Sequence, residues 1–405
     1  MDRRQFVTGS LASAAAFTIA KPSQVRAADA NSKLRLGIIG SGHRGQWLGQ
    51  FFLDHGGYVV TACADYFEDK VNEAGDKLQV PAGKRFSGLN GYKRLLESAV
   101  DAVAIESPPY FHPEQAAAAV AAGKHVFCAK PVAVDVPGCN TIAESGRQAT
   151  AKNLVFVVDF QTRATEFYIE AIKRIHAGGI GDIAFGEAIY HGGEPFTEHH
   201  KALLAHPNDP EVRLRAWGLD KVLSGDIVTE QFIHALDVVN WVMQKPPQSA
   251  FAAGGLRARG KVGTCADHFT AELRYADGVS FTFSGMQFEN HGSQPAGIRV
   301  RVFAQKGTFE SEYGGNVLLR GNAETFYRGG RCNMIYADGP KANIATFHDS
   351  IVGQKYDNPT VQPSVQSNLI TLLVRTSAYT GEALMWEQLL AKNEKLEADL
   401  TGLKA

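Results

Sequence analysis

Three glycines near the start of the chain have the spacing of a phosphate-binding turn. Gly40, Gly42 and Gly45 form the pattern G-S-G-H-R-G at the end of the apolar run LRLGIIG. In such a turn the first glycine makes the bend, the second lets a pyrophosphate approach the backbone, and the third allows a helix to pack closely on a strand. The helix that follows presents free N–H groups and the positive end of its dipole to the phosphates. The pattern predicts a dinucleotide site that also includes His43 and Arg44.

An acidic residue at the expected distance bears on the choice of cofactor. Asp65 lies twenty positions after Gly45 and ends a second apolar run, YVVTACAD. A carboxylate at this point accepts hydrogen bonds from the adenine ribose and repels the 2′-phosphate of NADP. Tyr66 and Phe67 follow, without an adjacent arginine that could hold that phosphate. We therefore expect NAD as the cofactor, in preference to NADP.

A lysine at the end of a later apolar run could act on a hydroxyl group. Lys130 ends the run HVFCAK and is followed by Pro131. If the run is a parallel strand, the ammonium lies at the carboxyl edge of the sheet, close to the nicotinamide end of a bound dinucleotide. There it could hydrogen-bond a substrate oxygen and stabilise alkoxide character as a hydride leaves. A solvated lysine at a strand end is the simpler alternative.

An acid and a histidine four positions apart could supply a catalytic base. Glu230 and His234 lie in EQFIHALDVVNW, and on one helix they would share a face with Asp237 and Trp241. His234 can take a proton from a carbinol near neutral pH, and Glu230 would orient or charge its ring. We assign catalysis to His234 with Glu230, and we expect Asp237 and Trp241 to serve helix packing.

These residues need a scaffold of alternating strands and helices. Apolar runs at 34–40, 58–65, 101–107, 125–130 and 154–160 alternate with helical segments, which is typical of parallel βαβ units in a doubly wound sheet. After about residue 180, short alternating runs separated by turns predict a largely antiparallel sheet.

The expected fold class is therefore α/β, with a Rossmann domain followed by a C-terminal α+β domain that carries an open, largely antiparallel sheet. A hairpin is expected at Asp277-Gly278. The expected division is a signal segment over 1–30, an NAD-binding domain over 31–160 and a substrate and oligomerisation domain over 161–405.

The motifs together resemble those of one family. The segment GKHVFCAKPVA is similar to the strand that ends in Glu-Lys-Pro in the Gfo/Idh/MocA family, which includes glucose–fructose oxidoreductase and inositol dehydrogenase. Lys130-Pro131 match that ending, and Ala129 stands where the family has glutamate. ESPPYFH (106–112) and SGDIVTEQFIHALDVVNW (224–241) extend the resemblance. It implies an NAD-dependent oxidoreductase that acts on a hydroxyl or keto group of a sugar, glycoside or cyclitol.

The resemblance also implies further site residues. Its cofactor side would add four residues to the glycine turn: Ser107, Pro108, His112 and Gln161. Its substrate side would combine Lys130 and His234 with three more: Arg163, Tyr190 and His191. The segment YHGGEPFTEHH (190–200) is rich in His and Glu but lacks a firm ligand spacing, so we expect a substrate-contacting or simply polar loop rather than a metal site.

The first residues have the pattern of an export signal. Arg3-Arg4 precede the apolar stretch LASAAAFTIA, and small residues near Ala28 and Ala30 offer cleavage sites. The paired arginines resemble the twin-arginine motif, which implies a route for proteins that fold before they cross the membrane. We expect the twin-arginine machinery as a partner, a periplasmic location, and NAD bound tightly before export.

Composition excludes two classes of partner. The chain has 41 basic and 42 acidic residues, and its formal net charge is −1, so nothing favours nucleic acid or an anionic membrane electrostatically. Beyond the signal no apolar run reaches membrane-spanning length, so we expect no stable membrane anchor. We expect a homo-oligomer that associates through the C-terminal sheet.

Three classes of function remain open. The leading one is a dehydrogenase for a sugar, glycoside or cyclitol. The second is a glycosidase that uses bound NAD for transient oxidation, elimination, addition of water and re-reduction. The related glycosidases typically have Tyr-Pro-Thr-His where this chain has Phe232-Ile233-His234, and this departure counts against the second class. The third is a non-catalytic nucleotide-binding module, which the presence of both Lys130 and His234 disfavours.

Overall fold

The computed structural model describes residues 33–405. The expected signal segment, residues 1–30, lies outside them. None of the helices from residue 33 onward is both long and apolar enough to cross a membrane.

The first part of the described chain alternates strands with helices, as the apolar runs predict. Its elements are β1 (Leu34–Ile39), α1 (His43–His55), β2 (Tyr58–Asp65), α2 (Glu68–Lys77), β3 (Arg85–Ser87), α3 (Gly91–Leu96), β4 (Ala102–Ile105), α4 (His112–Ala121), β5 (His125–Ala129), α5 (Val136–Ala151) and β6 (Phe156–Asp159). The strands form a six-stranded sheet in the order β3-β2-β1-β4-β5-β6, and every neighbouring pair is parallel. This order reverses direction between β1 and β4, which is the switch point of a doubly wound fold.

The second part builds a larger sheet and the helices that cover it. Its elements are α6 (Glu166–His176), β7 (Ile183–Gly192), α7 (His200–Ala205), α8 (Pro210–Arg215), α9 (Lys221–Ser224), α10 (Ile227–Glu230), α11 (Ile233–Met243), β8 (Ser249–Gly255), β9 (His268–Arg274), β10 (Ser280–Gln287), β11 (Gly297–Ala304), β12 (Gly307–Glu312), β13 (Asn316–Gly321), β14 (Tyr327–Arg331), α12 (Ile335–Val352), α13 (Val361–Thr380), β15 (Leu384–Met385) and α14 (Trp386–Lys392).

The nine strands run in the order β14-β13-β12-β11-β7-β10-β9-β8-β15. All neighbouring pairs are antiparallel except β7 with β10, so the predicted fold class is confirmed. The hairpin predicted at Asp277-Gly278 joins β9 to β10, which pair antiparallel.

Helix α12 leaves the second sheet and packs on the first one. Its residues Ile344 and Phe347 are buried in the same cluster as Leu36 and Phe52, on the face of the parallel sheet that α1 covers. The Tyr58 hydroxyl donates to the Ile344 carbonyl oxygen at 3.1 Å. A segment that follows the second sheet in sequence therefore completes a layer of the first one.

The β6 edge of the parallel sheet is covered by side chains from the same late region. The Phe156 N–H donates to Asn358 Oδ1 at 2.6 Å, and the Val158 N–H donates to Thr360 Oγ1 at 3.0 Å. An edge strand has no neighbour on one side, so its backbone N–H groups on that side lack partners in the sheet. The two side-chain contacts satisfy two of these N–H groups on β6.

Candidate active site

A cavity of about 700 Å³ lies at the carboxyl ends of the parallel strands, beside the switch point between β1 and β4. Most of the site residues predicted from the sequence line it: Gly40, Gly42, His43, Arg44, Asp65, Ser107, Pro108, His112, Lys130, Gln161, Glu230 and His234. The cavity also takes residues from helices α8, α10, α11 and α12. Both parts of the chain therefore build one site.

The glycine turn has the geometry that a pyrophosphate needs. Gly40 has a φ of +94°, and a Cβ there would lie 2.3 Å from the Ser107 nitrogen. A Cβ on Gly45 would lie 1.9 Å from the Gly40 oxygen, whereas a Cβ on Gly42 would meet nothing within 4 Å. Helix α1 begins at His43, so its first N–H groups lie beside this open space. The residues present fit a bound dinucleotide.

Asp65 stands at the end of β2 with its carboxylate fixed by the backbone. Oδ2 accepts the Ser41 N–H at 2.7 Å, and Oδ1 accepts the Phe67 N–H at 3.0 Å. Burial raises the pKa of Asp65, and these two hydrogen bonds oppose the shift. Each carboxylate oxygen has further acceptor capacity, so the group is placed to receive ribose hydroxyls.

Two cations near Asp65 were not predicted. Lys70 follows it by five residues on α2, and Arg215 comes from α8, far away in the sequence. The residues adjacent to Asp65 give no sign of either cation, and no spacing in the sequence connects residue 65 with residue 215.

Lys130 is held at the opposite end of the cavity by Glu230. Its Nζ lies 3.2 Å from Glu230 Oε1 and donates to the Glu230 carbonyl oxygen as well. The two side chains are 8% and 10% exposed, so the ion pair is largely shielded from water. Burial lowers the pKa of Lys130, and the Glu230 carboxylate opposes the shift. Lys130 is therefore not a solvated lysine at a strand end, which was the simpler alternative.

The expected single helix through Glu230 and His234 is interrupted. Helix α10 ends at Glu230 and α11 begins at Ile233, with a turn between them. The Glu230 carboxylate contacts Lys130 and the Gln231 amide instead of the imidazole. The prediction that Glu230 orients the His234 ring was therefore wrong, and its observed partner is the lysine.

The His234 ring lies in the cavity wall with one nitrogen unengaged. Its Nδ1 is buried and has no hydrogen-bond partner among residues 33–405. The ring packs near Tyr313 and Phe160, at centroid distances of 5.4 and 6.5 Å. Burial, assisted by the positive charges of Lys130 and Arg44, lowers the pKa of His234 well below its usual range. The imidazole is therefore neutral at neutral pH and can accept a proton.

Arg44 is anchored beneath the cavity by two buried carboxylates. Its Nε lies 3.1 Å from Glu106 Oε2 and its Nη2 lies 2.7 Å from Asp159 Oδ2. Asn343 on α12 donates to Asp159 Oδ1 at 2.8 Å. Burial raises the pKa of Glu106 to about 8, although the charge of Arg44 opposes the shift. Glu106 and Asp159 were not predicted, since nothing in the sequence pairs either residue with Arg44.

His112 connects two loops of the cavity wall. Its Nδ1 lies 2.8 Å from the Pro131 carbonyl oxygen and its Nε2 lies 2.7 Å from the Ser107 carbonyl oxygen. Burial lowers the pKa of His112 to about 4. The Ser107 hydroxyl donates to Gln115 Oε1 at 2.6 Å. These contacts place the loops after β4 and β5 relative to each other.

Two predicted substrate residues, Arg163 and His191, lie away from the cavity. Arg163 forms a buried ion pair with Asp237 at 2.9 Å and lies over the Trp241 ring, beside a second cavity. His191 contacts the Pro295 carbonyl oxygen and the Ser284 hydroxyl, each at 3.0 Å. Those two assignments are corrected, because the side chains are engaged in other parts of the fold.

Tyr190 reaches the site indirectly. Its hydroxyl donates to Gln231 Oε1 at 2.6 Å, and Gln231 lines the cavity.

In the 190–200 loop, Glu198 and His199 line the cavity near Lys70 and Arg215. Among the described residues, no group of three or more His, Cys, Asp or Glu side chains is arranged to hold a metal ion.

Comparisons with known proteins identify the family of both parts of the described chain. Residues 34–159 match the family described as "Oxidoreductase family, NAD-binding Rossmann fold" (GFO_IDH_MocA), and residues 168–310 match "GFO/IDH/MocA C-terminal domain". A 1,5-anhydro-D-fructose reductase of Ensifer adhaerens is 27% identical over 293 residues, which cover 70% of this chain and 79% of that protein. A myo-inositol 2-dehydrogenase of Thermotoga maritima is 23% identical, and the match covers 68% of this chain and 74% of that protein.

Solved structures share the fold. A levoglucosan dehydrogenase in complex with NADH and levoglucosan superposes with a TM-score of 0.70 at 18% identity, over 88% of this chain and 100% of that one. A myo-inositol 2-dehydrogenase from Lactobacillus plantarum gives a TM-score of 0.67 at 22% identity, over 87% and 99%. Together with the two domain matches, which span most of the described residues, these findings show that the chain belongs to the Gfo/Idh/MocA family of oxidoreductases and carries its NAD-binding Rossmann domain.

Proposed function

We propose that the protein is an NAD-dependent dehydrogenase that oxidises a hydroxyl group of a sugar, glycoside or cyclitol. One observation carries the proposal: a buried ammonium and a neutral imidazole line the same cavity as the glycine turn and Asp65. The names of the curated relatives, a sugar reductase and an inositol dehydrogenase, support this substrate class.

Lys130 and His234 have different roles at the substrate hydroxyl group. Lys130, fixed by Glu230, hydrogen-bonds the substrate oxygen and stabilises negative charge as it develops there. His234, whose neutral ring lines the cavity, takes the hydroxyl proton. A bound NAD would supply the hydride acceptor at this end of the cavity. The substrate carbon thereby loses a hydride and its oxygen loses a proton, which leaves a ketone.

The cofactor is proposed to be NAD rather than NADP. Asp65 presents its carboxylate at the ribose end, where a second anion would be repelled. Arg215 also lies at this end, but its guanidinium is already paired with Asp69 at 3.0 Å. Titrating the cofactor-free protein with each nucleotide tests the proposal, and equal or tighter binding of NADP would contradict it.

Product analysis tests the activity. The protein is incubated with NAD and a panel of glycosides, free sugars and cyclitols, and products and cofactor are identified by mass spectrometry. A keto product with an intact glycosidic bond and an equal amount of NADH supports the dehydrogenase. Release of the aglycone without net reduction of NAD would instead identify a glycosidase with transient oxidation. The His234→Ala variant, run in parallel, shows that any product comes from this site.

Export through the twin-arginine route is proposed as well, from Arg3-Arg4 and the apolar stretch after them. Since NAD is made in the cytoplasm, the protein would carry it across the membrane in folded form. Cell fractionation of the wild type and of the Arg3→Lys/Arg4→Lys variant tests the route. The wild type is expected in the periplasm with nicotinamide nucleotide released on denaturation, and the variant in the cytoplasm.

Association through the second sheet is proposed from its outer face. Phe185 on β7 is half exposed and stacks on Phe303 of β11 at a centroid distance of 4.7 Å, and Phe251 on β8 is exposed on the same face. Apolar groups of this size on one sheet face favour a contact between copies. Light scattering of the wild type and of a Phe185→Ser/Phe251→Ser variant tests it, and a monomeric wild type would contradict it.

A further inference from the structure

The adenosine end of the cavity is covered by a segment from the second part of the chain. This segment, residues 196–217, contributes six residues to the lining: Phe196, Glu198, His199, Leu214, Arg215 and Trp217. They share the cavity with Asp65, Phe67 and Lys70 of the Rossmann domain. A dinucleotide bound with its ribose on Asp65 would therefore lie between the two parts of the chain.

Contacts from helix α8 fasten this segment to the loop after β2. The Arg215 guanidinium lies 3.8 Å from the centroid of the Phe67 ring and pairs with both oxygens of Asp69, at 3.0 and 3.1 Å. One turn earlier, Glu211 accepts a hydrogen bond from the Tyr66 hydroxyl at 2.6 Å. The segment 196–217 is thus bound directly to the residues that follow Asp65.

The helix that carries these groups is held in place independently of the cofactor domain. The Asp209 carboxylate caps α8 by accepting the Val212 N–H at 3.0 Å. Arg213 pairs with Asp220 at 2.7 Å, within the second part of the chain. Arg215 and Arg213 therefore sit on the same short helix, and only Arg215 lines the cavity.

We propose that Arg215 is a cofactor-binding residue that covers the adenosine half of the dinucleotide and slows its dissociation. The inference rests on the proposed use of NAD. A guanidinium is planar and weakly hydrated, so it packs well against an aromatic face, and the purine of the cofactor offers such a face beside Phe67. Because Asp69 already neutralises its charge, Arg215 offers a flat surface to a base rather than a free cation to a 2′-phosphate.

The test measures release of NADH from the full-length protein by stopped-flow fluorescence, with excess NAD to trap the empty site. Arg215→Ala is expected to raise the dissociation rate constant about ten-fold, which corresponds to a contact in the usual range for a cation on an aromatic face. Arg215→Lys keeps the charge without the planar group, so it is expected to behave like the alanine variant.

Arg213→Ala is the matched control, since it removes an arginine from the same helix without touching the cavity. Because its pair with Asp220 helps to hold α8, its NADH dissociation rate is expected to rise less than that of Arg215→Ala. If both arginine variants release NADH at the same raised rate, the effect is a general loosening of α8 and the inference is wrong. Unchanged release from Arg215→Ala would overturn it as well. If the wild type binds no NADH at all, the proposed function itself fails, which separates the two outcomes.

A second variant tests the role of Asp69. Asp69→Asn leaves Arg215 in place without its counter-charge, so the affinity for NADP is expected to rise relative to that for NAD. If the ratio of the two dissociation constants stays the same in this variant, the guanidinium does not lie beside the adenosine ribose and the assignment is wrong.

Discussion

The Nζ of Lys130 lies 3.2 Å from Oε1 of Glu230, and this ion pair joins the end of β5 to the end of α10. The Rossmann domain thus supplies the cation, and the second part of the chain supplies the group that fixes it. The pair sits in the same cavity wall as His234.

Lys130→Met and His234→Ala are each expected to abolish turnover while leaving bound NAD in place, because neither side chain reaches the glycine turn. Loss of a general base typically lowers the rate about 100- to 10,000-fold. Groups that act on one hydroxyl are not additive, so the double variant should be little worse than the slower single variant. Turnover and nucleotide content of the three purified variants check this. A His234→Ala variant with near wild-type turnover would exclude His234 as the base.

Glu230→Gln is expected to move the alkaline limb of the pH–rate profile to lower pH. Burial lowers the pKa of Lys130 and the Glu230 carboxylate raises it, so removing the carboxylate leaves the lowering effect unopposed. The lysine then loses its proton at a lower pH than in the wild type. The profiles of kcat/KM for both proteins, measured on the substrate identified in the product screen, check the direction. A shift to higher pH would show that the limb reports another group.

Asp65→Ala is expected to weaken NAD binding by about 2–4 kcal/mol, since two hydrogen bonds to a charged acceptor are lost. It is also expected to narrow the difference in affinity between NAD and NADP. Asp65→Asn is the control, because its amide oxygen can still accept a hydrogen bond but carries no charge. It should narrow the difference in affinity between NAD and NADP, because the charge that repels the 2′-phosphate is lost. Calorimetric titration with both nucleotides measures the two effects. Unchanged affinities in Asp65→Ala would mean that the carboxylate does not contact the ribose.

Asp237→Asn is expected to destabilise the protein, by an amount on the order of 3 kcal/mol, because it leaves the guanidinium of Arg163, which is 14% exposed, without the counter-charge of the fully buried Asp237. The Ser367 hydroxyl also loses a charged acceptor, which it contacts at 2.6 Å. Urea unfolding measures the loss. The dissociation constant for NAD should stay near the wild-type value, since this pair lies outside the cofactor cavity; a selective loss of NAD binding would contradict that placement.

Local patterns predicted the scaffold and most of the cofactor side. Five of the six strands of the parallel sheet lie in the predicted apolar runs, and only the short β3, with the sequence RFS, was missed. The glycine turn and Asp65 follow neighbouring strands, so their relation follows from short-range sequence. Arg215 and Asp159 reach the site from segments that only tertiary packing brings near it. The sequence around these two residues does not indicate which side chains they contact.

The predicted helix through Glu230 and His234 is interrupted for a reason that its local sequence does not show. The turn between α10 and α11 contains neither Gly nor Pro; it is set by Phe232, whose fully buried ring packs against Phe283 and Tyr190. Helix α12, in contrast, contains Gly339 and Pro340, which usually indicate a turn. A Cβ on Gly339 would lie 2.5 Å from the Gln161 Cβ, so the glycine is required for the helix to approach the cavity wall.

The side chains that cover the β6 edge have a consequence during synthesis. Asn358 follows its partner Phe156 by 202 residues, so a nascent chain leaves the ribosome with that edge uncovered for about 10–40 s at usual translation rates. During this interval the edge can template pairing with another chain, which chaperones bound to the nascent protein would have to prevent. Truncation anywhere before residue 358 would make this exposure permanent, so shortened forms of the protein are expected to aggregate even when every residue of the parallel sheet is present.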